Sequence, residues 1–243
     1  MPPYVSINDV SARQTARFRG AAVLTTCAML NAAVSIPSTA AAASCPNIEV
    51  VFARGSDDPP GVGPIGQAFV DALRPQVAGR SFGVYAVNYP ATNKSNELAN
   101  SASAGAKDAS AHVEYMAANC PDTSMVLGGY SLGAAVIDLI TAAGVAPQGD
   151  IPAPMPPEVA DHVAAVAVFG NPWDRSRGAP LTAISPLYGA KAIDLCNPGD
   201  PICSDGQDSA AHIRYVQSGM VNQAATFAAS RLTFRHSGRP LTR

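Results

Sequence analysis

Charge is scarce in this chain. Asp, Glu, Lys and Arg together make up 14% of 243 residues, and the formal net charge is −2. Without a basic excess the chain lacks the electrostatic footprint of a nucleic-acid binder, so no nucleic-acid partner is expected. Histidine is scarcer still, at four, and no C-x-x-C or H-x-x-x-H spacing occurs. That removes the usual zinc arrangements, and no metal is expected. No long internal repeat is present, which sets solenoids and propellers aside. The longest uncharged apolar stretch, residues 20–36, is about 17 residues of largely small side chains, at the lower limit for a membrane span.

What is abundant is apolar material, 47% of the residues. That is enough for one sizeable core, and the length suits one domain or at most two. The N-terminus has the layout of an export leader. Arg13, Arg17 and Arg19 precede the uncharged stretch, and Ala41-Ala42-Ala43 fits the small-x-small cleavage pattern. A single membrane anchor is the competing reading. A leader spanning 1–43 leaves a chain of 13 basic and 17 acidic residues, net −4. It also removes Cys27 and leaves Cys45, Cys120, Cys196 and Cys203. An even number in an oxidising compartment predicts two disulfides and a secreted, extracellular protein, with three pairings open. A lipid on Cys45 would leave an odd cysteine. The domain proper is expected over 44–232, followed by a basic tail over 233–243 that reads as solvated and disordered.

Five near-continuous apolar runs read as strands buried on both faces: Ile48–Ala53, Gly83–Tyr89, Met125–Gly129, His162–Phe169 and Ala190–Leu195. Between and after them, Ile65–Val77, Glu97–Ala118, Leu132–Ala143 and Ala210–Leu232 read as helices. Pro147–Pro157 reads as a surface loop. Strand–helix alternation predicts an α/β fold, a three-layer sandwich around a central five-stranded parallel sheet.

Gly-x-Ser-x-Gly occurs twice, at 79–83 and 129–133. A nucleophile elbow needs strand, sharp turn, then helix. Ser131 has that context; Ser81 follows a helix and precedes a strand, so it reads as a loop residue. A serine hydroxyl needs a base. His112 falls within a helix, His162 opens a strand at the wrong edge, and His236 lies in the tail. His212, after the last strand, is placed to reach the C-terminal edge of the sheet. The acid should lie between serine and histidine, where Asp194, Asp200, Asp205 and Asp208 are available, with Asp174 in reserve. Asp200 is preferred because a bridge between Cys196 and Cys203 would hold it in a short loop with two prolines. With strand order 2-1-3-4-5 the switch point lies between strands one and three. Ser56 then sits beside Ser131, suited to an oxyanion hole with the backbone N–H of Leu132.

Val50-Val51-Phe52-Ala53-Arg54-Gly55-Ser56, Val84-Tyr85-Ala86-Val87-Asn88-Tyr89-Pro90, Gly129-Tyr130-Ser131-Leu132-Gly133, Asp200-Pro201-Ile202-Cys203 and His212 occur in that order. Together they resemble the cutinase family, specifically the secreted cutinase-like esterases of actinobacteria, over about Cys45 to Leu232. The resemblance implies a triad of Ser131, Asp200 and His212, an oxyanion hole of Ser56 and the Leu132 N–H, and disulfides Cys45–Cys120 and Cys196–Cys203. It implies an α/β-hydrolase-type fold without a large lid. One departure is Leu132, where fungal members commonly carry Gln; the role there is a backbone donor. The implied activity is hydrolysis of short- to medium-chain carboxylic esters or lipids through an acyl-enzyme. No cofactor is required, the enzyme is expected to be monomeric, and its contact with a lipid or cell-envelope surface transient. An acyltransferase using the same triad, and a non-catalytic secreted surface antigen, are the alternatives.

Overall fold

The computed structural model describes residues 45–142 and 154–237. The leader expected over 1–43, with the alternative anchor, lies outside the described residues, as do most of the Pro147–Pro157 loop and the last six residues of the tail.

Five strands, β1 (Ile48–Ala53), β2 (Phe82–Ala86), β3 (Ser124–Tyr130), β4 (Val163–Phe169) and β5 (Ala192–Leu195), form one sheet in the order β2-β1-β3-β4-β5. All four pairings are parallel. Strand side chains alternate between two faces. Along β1, Val51 and Ala53 point into one core and Val50 and Phe52 into the other. Both faces are covered, so β1, β4 and most of β3 are buried along their length. That double burial is why the strands read as continuous apolar runs.

Helices α2 (Leu98–Asn119) and α3 (Leu132–Thr141) pack on the first face. Helices α1 (Gly63–Leu73) and α6 (Met220–Ser237) pack on the second. There Phe52 lies against Phe69 of α1, ring centroids 6.1 Å apart. Two short helices, α4 (Pro172–Arg177) and α5 (Leu181–Ile184), lie between β4 and β5.

The structure corrects several boundaries. The first helix ends at Leu73 and tightens into a 3-10 turn over Arg74–Val77, where Pro75 denies the helix a donor. The segment read as a helix from Ala210 is a 3-10 turn, Ala211–Ile213, then a loop; α6 starts only at Met220, after Gly219 at φ 80°. At its far end α6 continues to Ser237, so the first five residues of the expected tail are helical. Strand β2 stops at Ala86, three residues early. Beyond it Asn88 donates its N–H to Asp108 Oδ2, and Tyr89 turns to serve Arg54.

The disulfides formed are Cys45–Cys120 and Cys196–Cys203, with Cα separations of 5.5 and 5.8 Å. The first ties the start of β1 to the end of α2. The second closes the loop that follows β5.

Candidate active site

The β3–α3 junction is a sharp reversal. Ser131 sits between them at φ 55° and ψ −117°, a conformation that costs a non-glycine residue about 1–3 kcal/mol. Its neighbours explain how the turn closes. A β-carbon on Gly129 would lie 2.2 Å from the Gly133 carbonyl oxygen, and one on Gly133 would lie 2.0 Å from that of Ala53. The backbones of β3, α3 and β1 therefore meet with no side chain between them. Ser131 donates its N–H to the Phe169 carbonyl at 2.9 Å, which ties the turn to β4.

Ser131 Oγ lies 2.9 Å from His212 Nε2. On the other side of the ring, Nδ1 lies 2.8 Å from Asp200 Oδ2. Asp200 is fully buried, with His212 partly exposed. Asp200 Oδ1 accepts the Ile202 N–H at 2.8 Å, and the Asp200 carbonyl accepts from Ser204. The loop bounded by Cys196 and Cys203 thus holds the carboxylate by its own backbone. A hydroxyl, an imidazole and a buried carboxylate in one hydrogen-bonded line can move a proton off the hydroxyl and stabilise the imidazolium that results.

The other candidates are engaged elsewhere. Ser81 donates its hydroxyl to Asn47 Oδ1 and accepts the Asn47 N–H, at the opposite edge of the sheet. His112 pairs with Glu49 at 2.9 Å and stacks on Tyr85. Asp205 pairs with Arg175, and Asp208 with Arg214. Asp174 and Asp194 join Asp138 around Asn171. Its amide donates to Asp138 Oδ2 at 2.9 Å and to Asp194 Oδ2 at 3.0 Å. Burial raises all three carboxyls, Asp138 well above the usual range and Asp174 to about 8. The nearby Asp194 carboxyl adds to the rise at Asp174. The reserve acid belongs to the group around Asn171 and is not a partner of His212.

Ser56 follows β1 in the turn next to the elbow. As the first residue of α3, Leu132 has an N–H without an intrahelical acceptor, at the positive end of the helix dipole. The turn carrying Ser56 is fixed by Arg54, which sequence reasoning did not single out. This buried guanidinium donates to the carbonyls of Asp58 at 3.0 Å and Tyr89 at 2.8 Å. Tyr89 returns a hydroxyl bond to the Arg54 carbonyl. Asp58 Oδ2 accepts the Gly55 N–H at 2.9 Å. Also unforeseen are Tyr130, whose hydroxyl donates to the His212 carbonyl at 2.7 Å, and Gly170. A β-carbon on Gly170 would come within 2.9 Å of the His212 ring. Arg54, Tyr89 and Tyr130 stood in runs that carry the family resemblance, whereas Gly170 had no sequence signal.

The fold is of the α/β-hydrolase type, and residues 44–232 match the family described as Cutinase. The chain belongs to the cutinase family and is a carboxylic ester hydrolase. It is 51% identical over 234 residues to carboxylesterase Culp1 of Mycobacterium tuberculosis, covering 93% of this chain and 99% of that one. It is 50% identical to phospholipase Culp4 of the same organism, covering 91% and 93%. Among solved structures it resembles Trichoderma reesei cutinase in complex with a phosphonate inhibitor, at 28% identity over 77% of each chain and a TM-score of 0.62. It also resembles the catalytic core domain of acetyl xylan esterase from Trichoderma reesei, at 26% identity, 77% and 100% coverage and a TM-score of 0.65.

Proposed function

We propose that this chain is an exported serine esterase in which Ser131 is the nucleophile, His212 the general base and Asp200 the acid that orients it. The carrying observation is the unbroken line from Ser131 Oγ through His212 to Asp200, with links of 2.9 and 2.8 Å. His212 takes the hydroxyl proton as Ser131 Oγ attacks the ester carbonyl. Ser56 and the Leu132 N–H hold the oxyanion of the tetrahedral intermediate. His212 returns the proton to the departing alcohol. Water then attacks the acyl-enzyme with the same base, and the acid is released.

Short- to medium-chain acyl esters and lipids are the substrates in this reading. Ile202, Ile213 and Val216 flank Asp200 and His212 in sequence and are exposed. Apolar side chains there suit an acyl chain or transient contact with a lipid surface, and one relative is named a phospholipase. The two disulfides support an oxidising compartment and hence export. The deciding experiment is hydrolysis of p-nitrophenyl esters over a range of chain lengths, with fatty-acid release from phosphatidylcholine vesicles alongside. Wild type is compared with Ser131→Ala. Turnover that survives the substitution rejects Ser131 as nucleophile.

A further inference from the structure

The chemistry above makes no use of Tyr215, yet this side chain is fully buried against its acid. It lies in the loop between the Ala211–Ile213 turn and α6. Its hydroxyl donates to Asp200 Oδ2 at 2.7 Å, the same oxygen that faces His212 Nδ1. The hydroxyl oxygen accepts the Asn197 N–H at 3.1 Å and lies 3.5 Å from Cys203 Sγ. The ring is held edge-on by Phe169 at 5.9 Å, by Tyr130 at 6.0 Å and by His212 at 6.5 Å. The phenol oxygen therefore has one place to be.

We infer that Tyr215 is a positioning residue for the acid: its hydroxyl fixes the Asp200 oxygen that faces His212 and shares the negative charge on it. The inference rests on the triad reading.

Two physical points support it. A buried carboxylate is costly unless donors satisfy it, and a bond to a charged group is about twice as strong as a neutral one. Here the Ile202 N–H takes Oδ1, so Tyr215 is what shares Oδ2 with the histidine. Burial, with the Asp200 charge adding to it, also pushes the phenol far above its ordinary range. The donor proton thus stays in place at any working pH. Without it, the Ile202 N–H and the imidazole alone would hold the carboxylate, and the charge on Oδ2 would bear on His212 alone. The imidazolium would then hold its proton more tightly.

Tyr215→Phe keeps the ring and removes only the hydroxyl. Rates are taken per site titrated with a phosphonate, so that misfolded protein is not counted. The expected result has three parts. The kcat falls roughly ten- to a hundred-fold with KM near wild type, the range a bond to a charged group commands. The acid-side midpoint of kcat/KM moves to higher pH. In an Asp200→Asn background the same substitution costs little more, because the two act through one bond. A structural residue would instead lower the titratable fraction and act additively with Asp200→Asn. Wild-type kcat per site, an unmoved acid limb or an undiminished effect in the Asp200→Asn background each overturns the inference. Should Ser131→Ala or Asp200→Asn turn over like wild type, the triad reading is what has failed.

Discussion

Gly133 lies so close to Ala53 that a β-carbon on it would come within 2.0 Å of the Ala53 carbonyl oxygen. This contact seats the first turn of α3 on the end of β1, and so brings Leu132 and Ser131 beside the turn that carries Ser56.

Gly133→Ala should therefore damage both stability and rate. The obstacle is backbone, which cannot rotate away, so β1 and α3 must part. Overpacking of this kind costs roughly 1–3 kcal/mol, with a backbone clash toward the upper end. Urea unfolding and esterase rate measured on one preparation test this. A variant with wild-type rate would show that the seat is not needed for the oxyanion site.

Ser131→Ala should lose nearly all ester hydrolysis while keeping its circular dichroism spectrum, with a loss on the order of a million-fold by analogy with other serine triads. Ser81→Ala, in the second Gly-x-Ser-x-Gly, should hydrolyse at close to the wild-type rate, since its hydroxyl serves Asn47. Loss of activity in the Ser81 variant would reverse the assignment made from strand–turn–helix context.

The two disulfides should separate stability from catalysis. Cys45–Cys120 spans a separation of 75 residues and Cys196–Cys203 one of 7. Loop-closure entropy gives about 4.5 kcal/mol for the first and about 2.5 kcal/mol for the second. Cys45→Ser/Cys120→Ser should thus lower Tm more and leave the rate per titrated site intact. Cys196→Ser/Cys203→Ser should lose rate beyond its Tm deficit, because that loop carries Asp200 and touches Tyr215. Full rate per site in the second variant would mean that the loop does not position the acid.

Rising pH should weaken the fold through the frame around Asn171. The carboxyls of Asp138, Asp174 and Asp194 hold protons more tightly when folded than when unfolded. Their contribution is fully present below the ordinary carboxylate range of about 4 and is lost as pH rises through the folded values, which for Asp174 is about 8. Asp174→Asn should flatten the decline in Tm between pH 5 and 9 by a few degrees, since an amide needs no proton to donate to Asp194. Parallel wild-type and variant curves would remove Asp174 from the account.

The sequence by itself determined the sheet and marked Ser131 as the candidate nucleophile. Strands buried on both faces must be apolar throughout, so β1, β3 and β4 were legible within two residues at each end. The elbow was legible because its reversal demands small residues at fixed positions around Ser131. Ser131, His212 and Asp200 were read from elbow context, sheet edge and chain order, while the cysteine pairs rested on resemblance to a family. Local pattern could not place the start of α6. Its apolar periodicity overlaps the loop after His212, and the positive φ of Gly219 is a tertiary choice. Nor could it reveal Arg54, Tyr130, Gly170 or Tyr215. Arg54, Tyr130 and Tyr215 act on groups that folding alone brings near: Arg54 on a carbonyl 35 residues away, Tyr130 on a carbonyl 82 away, and Tyr215 on a carboxylate 15 away. Which carboxylate faces His212 was likewise settled in three dimensions. Asp174 and Asp200 are both acids after the nucleophile, but packing turns one toward Asp194 and the other toward the imidazole. Spacing along a chain carries local conformation; it does not carry the direction in which a distant side chain finds its partner.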